Sequence, residues 1–137
     1  MEWRVALGEI VEAHHFKGVS QPFAMVVHFL DGDVLLEARD IAGGPLVTVE
    51  VPRVTIAAHL DEYLGICRDL SKLGNANAAR YEALDIAKRI SHDEAADTLV
   101  TVCRSLGPDQ STARRLFTLL VTLHVDTTRL AVPHHRR

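Results

Sequence analysis

The chain has 137 residues, 47% of them hydrophobic and 24% charged, with a formal net charge of -3. That length fits one domain with its own core, and the composition excludes wholesale disorder. The mild charge excludes a bulk attraction to nucleic acid or an anionic membrane, and no apolar run approaches the length needed to cross a bilayer.

Met1-Glu2-Trp3-Arg4 lacks a basic region followed by an apolar stretch, so no signal peptide is expected and a cytosolic location is the simplest reading. Val5 to His14 reads as a short helix, with Val5, Ala6, Ile10 and Val11 near helical spacing. Gly18 and Pro22 interrupt the chain, and Phe23 to Leu30 is rich in β-branched and aromatic residues, a strand signal. Asp31-Gly32-Asp33 supplies a hairpin turn, and Val34 to Ile41 is the returning strand. After Gly43-Gly44-Pro45, Leu46 to Val51 alternates, with Val47, Val49 and Val51 on one face, and Pro52 ends it. Short consecutive strands with tight connections predict an antiparallel meander.

From Arg53 the period becomes helical, with Ala57, Leu60, Leu64 and Cys67 on one stripe and Gly74-Asn75 at the end. A second helix is predicted from Ala78 to Ile90, with Ala83, Ile86, Ala87 and Ile90 as its apolar stripe. Ser91-His92-Asp93-Glu94 fits a capping box, which predicts a break at Ser91 and a new helix with Ala95, Leu99, Val102 and Leu106 buried. Gly107-Pro108 stops that helix, and Asp109 caps the last one, whose apolar face is Leu116, Phe117, Leu119, Leu120 and Leu123. The pattern fades after Val125. The expected organisation is one α+β domain over residues 1–125 and a polar, mobile tail over 126–137. The fold expected is an N-terminal helix, a meander of three or four strands, and three or four helices packed on the sheet.

Two stretches, Ala79 to Ala95 and Ser111 to Leu119, resemble the uncharacterised bacterial protein family UPF0262. That family carries Arg-Ile-Glu-Ala-Ile-Asp-Met-Gly-Arg-Arg, then a Gly- and Asn-containing turn with His and Glu, ahead of a final helix with Thr-Ala-Arg-Arg-Leu-Phe-Thr-Leu. The second motif is matched in full by Thr112 to Leu119. The first is matched at Arg80, Glu82, Ala83, Asp85, Arg89, His92 and Glu94, and departs at Tyr81, Ala87, Lys88, Ser91 and Asp93. The resemblance implies a shared fold and no particular activity.

The candidate polar cluster is Arg80, Glu82, Asp85, Arg89, His92, Glu94, Arg114 and Arg115. Read as a site, the carboxylates act as bases or metal ligands, His92 titrates near neutrality and Arg89 binds an anion. Read as structure, Asp85 and Arg89 are an i, i+4 pair and His92 and Glu94 belong to a cap, with each exposed pair contributing about 0.3–0.5 kcal/mol. Arg114 and Arg115 sit in the first turns of the last helix, where the macrodipole disfavours cations. A partner carboxylate from Glu82, Asp85 or Glu94 is therefore expected, giving an ion-pair network between the two motifs.

Cys67 and Cys103 read as small buried hydrophobes, with a disulfide left open. The histidines show no zinc spacing, so no metal is expected, and without a phosphate loop, dinucleotide fingerprint or nucleophile elbow no cofactor is expected either. The leading functional expectation is a non-enzymatic interaction or regulatory module with a protein partner. The competing one is a small enzyme or anion-binding protein using the polar cluster. Apolar residues on both faces of Phe23 to Leu30 suggest a homodimer through the sheet; neither membrane nor nucleic acid is an expected partner. Convergence of the cluster on a concave cleft would favour the second reading, and mutual pairing toward solvent the first.

Overall fold

A computed structural model describes residues 2–6, 16–20, 22–73 and 77–135, and describes the side chains of these apart from residues 2–6, 30 and 126–135. The architecture is α+β: strands β1 (Glu2–Ala6), β2 (Phe23–Leu30), β3 (Asp33–Asp40) and β4 (Pro45–Val51), then helices α1 (Arg53–Leu73), α2 (Ala78–Val102) and α3 (Gln110–His135). The strands form one antiparallel sheet in the order β1-β2-β3-β4. No helix among the described residues is long and apolar enough to cross a membrane.

The meander forms where the alternation places it. Asp31 and Gly32 adopt φ of 52° and 87°, the two positive values a two-residue hairpin with native twist requires. Register pairs Val27 with Leu36 and Leu36 with Val49, so the inward residues of three strands stack on one face. Met25, Val27, Phe29, Val34, Leu36, Ala38, Val49 and Val51 are all buried there. The helices cover this face with Ile56 and Leu60 of α1, Ala95 and Leu99 of α2, and Ala113, Leu116, Phe117 and Leu120 of α3. Asp33 ties the two layers together, because its Oδ1 accepts the Arg53 N–H that opens α1, at 2.7 Å.

The structure departs from the sequence reading at three places. The N-terminal helix is not formed where the chain is described: strands come first, and Glu2 to Ala6 pairs with β2 from Glu2↔Leu30 to Ala6↔Val26. The outer edge of β2 offers unpaired backbone groups, and a local period cannot reveal that a distant segment will take them. The remainder of the predicted helix, residues 7–14, lies outside the described residues. The break at Ser91 is also absent. α2 runs unbroken to Val102, and Ser91 is 1% exposed inside it. A continuous ladder avoids the unsatisfied backbone groups that two new helix ends would create. Thirdly, part of the stripe predicted to face the core turns outward: Ile86 is 48% and Ile90 54% exposed. The buried face of α2 is Ser91, Ala95, Ala96 and Leu99, in its second half. α3 is helical to His135, a range that takes in most of residues 126–137.

The connection from α2 to α3 is locked by a short antiparallel contact. Lys17 N–H donates to Gly107 O and Gly18 N–H to Leu106 O, both at 2.8 Å. A Cβ on Gly18 would stand 1.9 Å from Ser105 O, so only glycine fits this approach. On the outer face of the sheet Val26 and His28 are buried as well. There Glu37 accepts hydrogen bonds at Oε1 from His28 Nε2 (2.6 Å) and Arg39 Nη2 (2.8 Å).

Candidate anion-binding cleft

The start of α3 is set by Asp109, as the sequence predicts. Its Oδ1 accepts the Thr112 N–H at 2.8 Å and its carbonyl accepts the Ala113 N–H at 2.9 Å. From there the helical period divides the motif Thr112 to Leu119 between two faces. Ala113, Leu116, Phe117 and Leu120 go to the core. Ser111, Arg114, Arg115 and Thr118, at spacings of three, four and seven, share the opposite side. With Gln110 and with His92 from α2, they line a cleft of about 600 Å³ between the two helices.

His92 crosses from α2 to α3. Its Nε2 lies 2.9 Å from Thr118 Oγ1, while that hydroxyl donates its own proton to the Arg114 carbonyl at 3.1 Å. The imidazole must therefore be the donor to Thr118, which leaves the lone pair of the neutral ring on Nδ1. Nδ1 is buried and has no hydrogen-bond partner among the described residues. Beneath the ring, His92, Tyr63 and Phe117 pack edge to face, with centroids 5.2–5.5 Å apart. That packing desolvates the imidazole and holds its pKa below the usual 6.5, and the Arg114 charge pushes it the same way. Burial likewise raises the Tyr63 phenol, with a further push from Cys67.

Arg114 Nε lies 3.3 Å from Asp93 Oδ1, both side chains being about half exposed. The same oxygen has no hydrogen-bond partner, so the contact is an ion pair without an aligned N–H. A pair so exposed contributes at most a few tenths of a kcal/mol and does not neutralise the arginine for an incoming anion. The expected network between the two motifs thus exists in reduced form. For Arg114 the carboxylate is that of Asp93.

Of the eight candidate residues, the structure brings His92, Arg114 and Arg115 to one cleft. Asp85 and Arg89 pair with each other along α2 and face outward. Glu82 and Glu94 are exposed. Arg80 is exposed too, and its N–H donates to the capping Asn77 Oδ1 at 2.9 Å. Asp93, Gln110, Ser111 and Thr118 escaped the sequence reading. The signal for Ser111 and Thr118 was present in their spacing from Arg114 and Arg115. The aromatic floor of Tyr63 and Phe117 had no local signal, since it joins helices far apart in the chain. No cluster of three or more His, Cys, Asp or Glu side chains among the described residues is placed to hold a metal ion.

The arrangement can bind an anion: two guanidinium groups and the Ser111 hydroxyl line the cleft beside an imidazole that gains charge on protonation, while the Thr118 hydroxyl is held by His92 and the Arg114 carbonyl. It is poorly arranged for nucleophilic catalysis. That chemistry needs an imidazole held by a carboxylate on one nitrogen and a nucleophile on the other. Here Nε2 is committed to Thr118, and no described residue orients Nδ1.

Comparison with known proteins agrees with the motifs. The model of the Uncharacterised protein family (UPF0262) matches residues 1–126. A UPF0262 protein of Rhodospirillum rubrum is 32% identical over 127 residues, covering 90% of this chain and 79% of that protein. One from Novosphingobium aromaticivorans is 31% identical over 137 residues, covering 90% and 84%. One from Sphingopyxis alaskensis is 29% identical over 133 residues, covering 90% and 81%. No solved structure matches. No function is assigned to these relatives by name, and what the comparisons establish is that the chain belongs to the bacterial protein family UPF0262.

Proposed function

We propose that this chain is a non-enzymatic regulatory module that binds a small phosphate-type anion in the cleft between α2 and α3. The observation that carries the reading is the convergence of His92, Arg114 and Arg115 with the Ser111 and Thr118 side chains on one concave surface at the start of α3. Such a surface offers charge-assisted hydrogen bonds and a favourable dipole to an anion. A catalytic reading would require an orienting partner for His92 Nδ1, and the described residues supply none. A protein partner that reads the bound state, and a cytoplasmic location, belong to the same proposal.

The test is thermal denaturation with inorganic phosphate against sodium chloride at matched ionic strength. Phosphate is expected to raise the melting temperature, because a ligand selective for the folded state stabilises it by RT ln(1 + [L]/Kd). The double variant Arg114→Gln/Arg115→Gln should keep its fold and lose the shift. Sulfate, whose charge is constant, should bind more tightly as pH falls through the lowered pKa of His92, because the imidazole then gains a positive charge beside it. Absence of any shift over chloride, or a shift retained by the double variant, refutes the proposal.

A further inference from the structure

The first half of α2 presents an apolar stripe that the fold leaves uncovered. Ala79, Ala83, Ile86 and Ile90 recur at spacings of four, three and four. Ile86 and Ile90 are 48% and 54% exposed, and both alanines are exposed. At 3.6 residues per turn, this stripe lies half a revolution from Ala95 and Leu99, which are fully buried in the core. Among the described residues, the packing of α2 on the core leaves it uncovered. The flanks carry ordered charge: Glu82 and Arg89 border one side two turns apart, and Arg80 and Glu94 border the other.

We infer that this stripe is the contact by which two copies of the chain associate, with their α2 helices antiparallel about a two-fold axis at Ile86. In that arrangement like flanks meet. Ile86 packs on Ile86 of the second copy, and Ala83 on Ile90. Glu82 comes beside Arg89 of the second copy on one flank, and Arg80 beside Glu94 on the other. Both flanking pairs thus bring opposite charges together, with Arg89 keeping its own Asp85 beside it, and Asp93 falls opposite Ala79 of the second copy and clear of its own counterpart. A parallel pairing would set Asp93 and Asp97, which continue the stripe beyond Ile90, against their own counterparts, an arrangement of like charges. A protein partner of other sequence has no reason to match this self-complementary order.

The sheet is the poorer face for a second copy. Its outer surface centres on Glu37 with Arg39 and His28 hydrogen-bonded to it, and a stacked copy would have to desolvate that group. The α2 stripe is short, so the dimer is expected to be weak and in exchange across the micromolar range.

The experiment is sedimentation velocity of the full chain across the micromolar range. A concentration-dependent dimer is expected. Ile86→Glu/Ile90→Glu should raise the dissociation constant more than about tenfold, with an unchanged melting curve because neither side chain is in the core. Glu82→Arg alone and Arg89→Glu alone should each weaken the dimer. The combined Glu82→Arg/Arg89→Glu should restore it, since opposite charges again meet across the axis. A chain that stays monomeric, a dimer indifferent to the isoleucine substitutions, or a double charge reversal no better than either single change overturns the inference. A monomer that instead co-sediments with anionic phospholipid vesicles through Ile86 and Ile90 assigns the stripe to a membrane surface and also overturns it.

Discussion

Replacing Ser91 by alanine is expected to stabilise the protein, although the local sequence argues for the opposite sign. As an N-cap, Ser91 would lose about 0.5–2 kcal/mol on truncation. In the structure it sits in the middle of α2, 1% exposed, and its Oγ has no hydrogen-bond partner among the described residues. A buried hydroxyl in that state costs about 1–3 kcal/mol. Alanine is also the better helix former by about 0.5 kcal/mol. Against this stands the small void left by one oxygen, on the order of several tenths of a kcal/mol. The net expectation is a gain of about 1–2 kcal/mol, or a melting temperature higher by roughly 3–6 °C for a domain of this size. Thermal and urea denaturation followed by circular dichroism would measure it, with the urea slope unchanged if only stability has moved. A lower midpoint would refute the continuous-helix account and return Ser91 to a capping role.

Gly18→Ala should destabilise by more than about 2 kcal/mol, because the new Cβ meets Ser105 O at 1.9 Å and breaks the contact between residues 16–18 and 106–108. Denaturant midpoints would show it, and a near-neutral change would mean that this segment is not seated as described. Phe117→Ala removes the largest fully buried side chain among the described residues and should cost about 3–5 kcal/mol. It also opens the floor beneath His92, so a His92 NMR titration in that variant should move back toward the ordinary 6.5; an unmoved titration would rule out the aromatic floor as the cause. Stability should fall in two acid steps. His92, with its folded pKa depressed, takes up protons more readily when unfolded, so its contribution is full above 6.5 and is lost as pH falls through the lowered folded value. Glu37, held below 4.5 by hydrogen bonds from Arg39 and then His28, contributes fully above 4.5 and loses that contribution further into acid. His92→Gln should flatten the first step and Glu37→Gln the second in denaturation midpoints measured against pH. Cys103, buried and with its thiol pushed up to about 12, should resist alkylation in the folded state while Cys67 reacts, and equal rates would contradict its burial.

Much of this molecule is written locally. Phe23 to Leu30 and Val34 to Asp40 are strands by their β-branched, aromatic and apolar content, and Leu46 to Val51 by its alternation. Asp31-Gly32 turns between the first two because its backbone tolerates positive φ. Asp109 caps α3 because its side chain reaches an N–H three residues on, within a single turn. The split of Thr112 to Leu119 into core and cleft residues is likewise a consequence of the helical repeat alone. These features need no knowledge of what lies elsewhere in the chain.

Other features were decided only when the layers met. Glu2 to Ala6 became a strand because the edge of β2 needed a partner, and nothing within a short segment encodes a distant edge. Ser91 carries a capping signature, yet the core claimed the turns on either side of it, and a continuous ladder outweighed one side-chain hydrogen bond. Ile86 and Ile90 have the spacing of a buried stripe, but Ala95 and Leu99 had already turned the opposite side of α2 to the sheet. The environment of His92 is the same case: Tyr63, Arg114 and Phe117 reach it from two other helices, so its lowered pKa belongs to the packing. Local rules fix what a segment can bury, whereas which of its faces finds a neighbour depends on contacts across the whole chain.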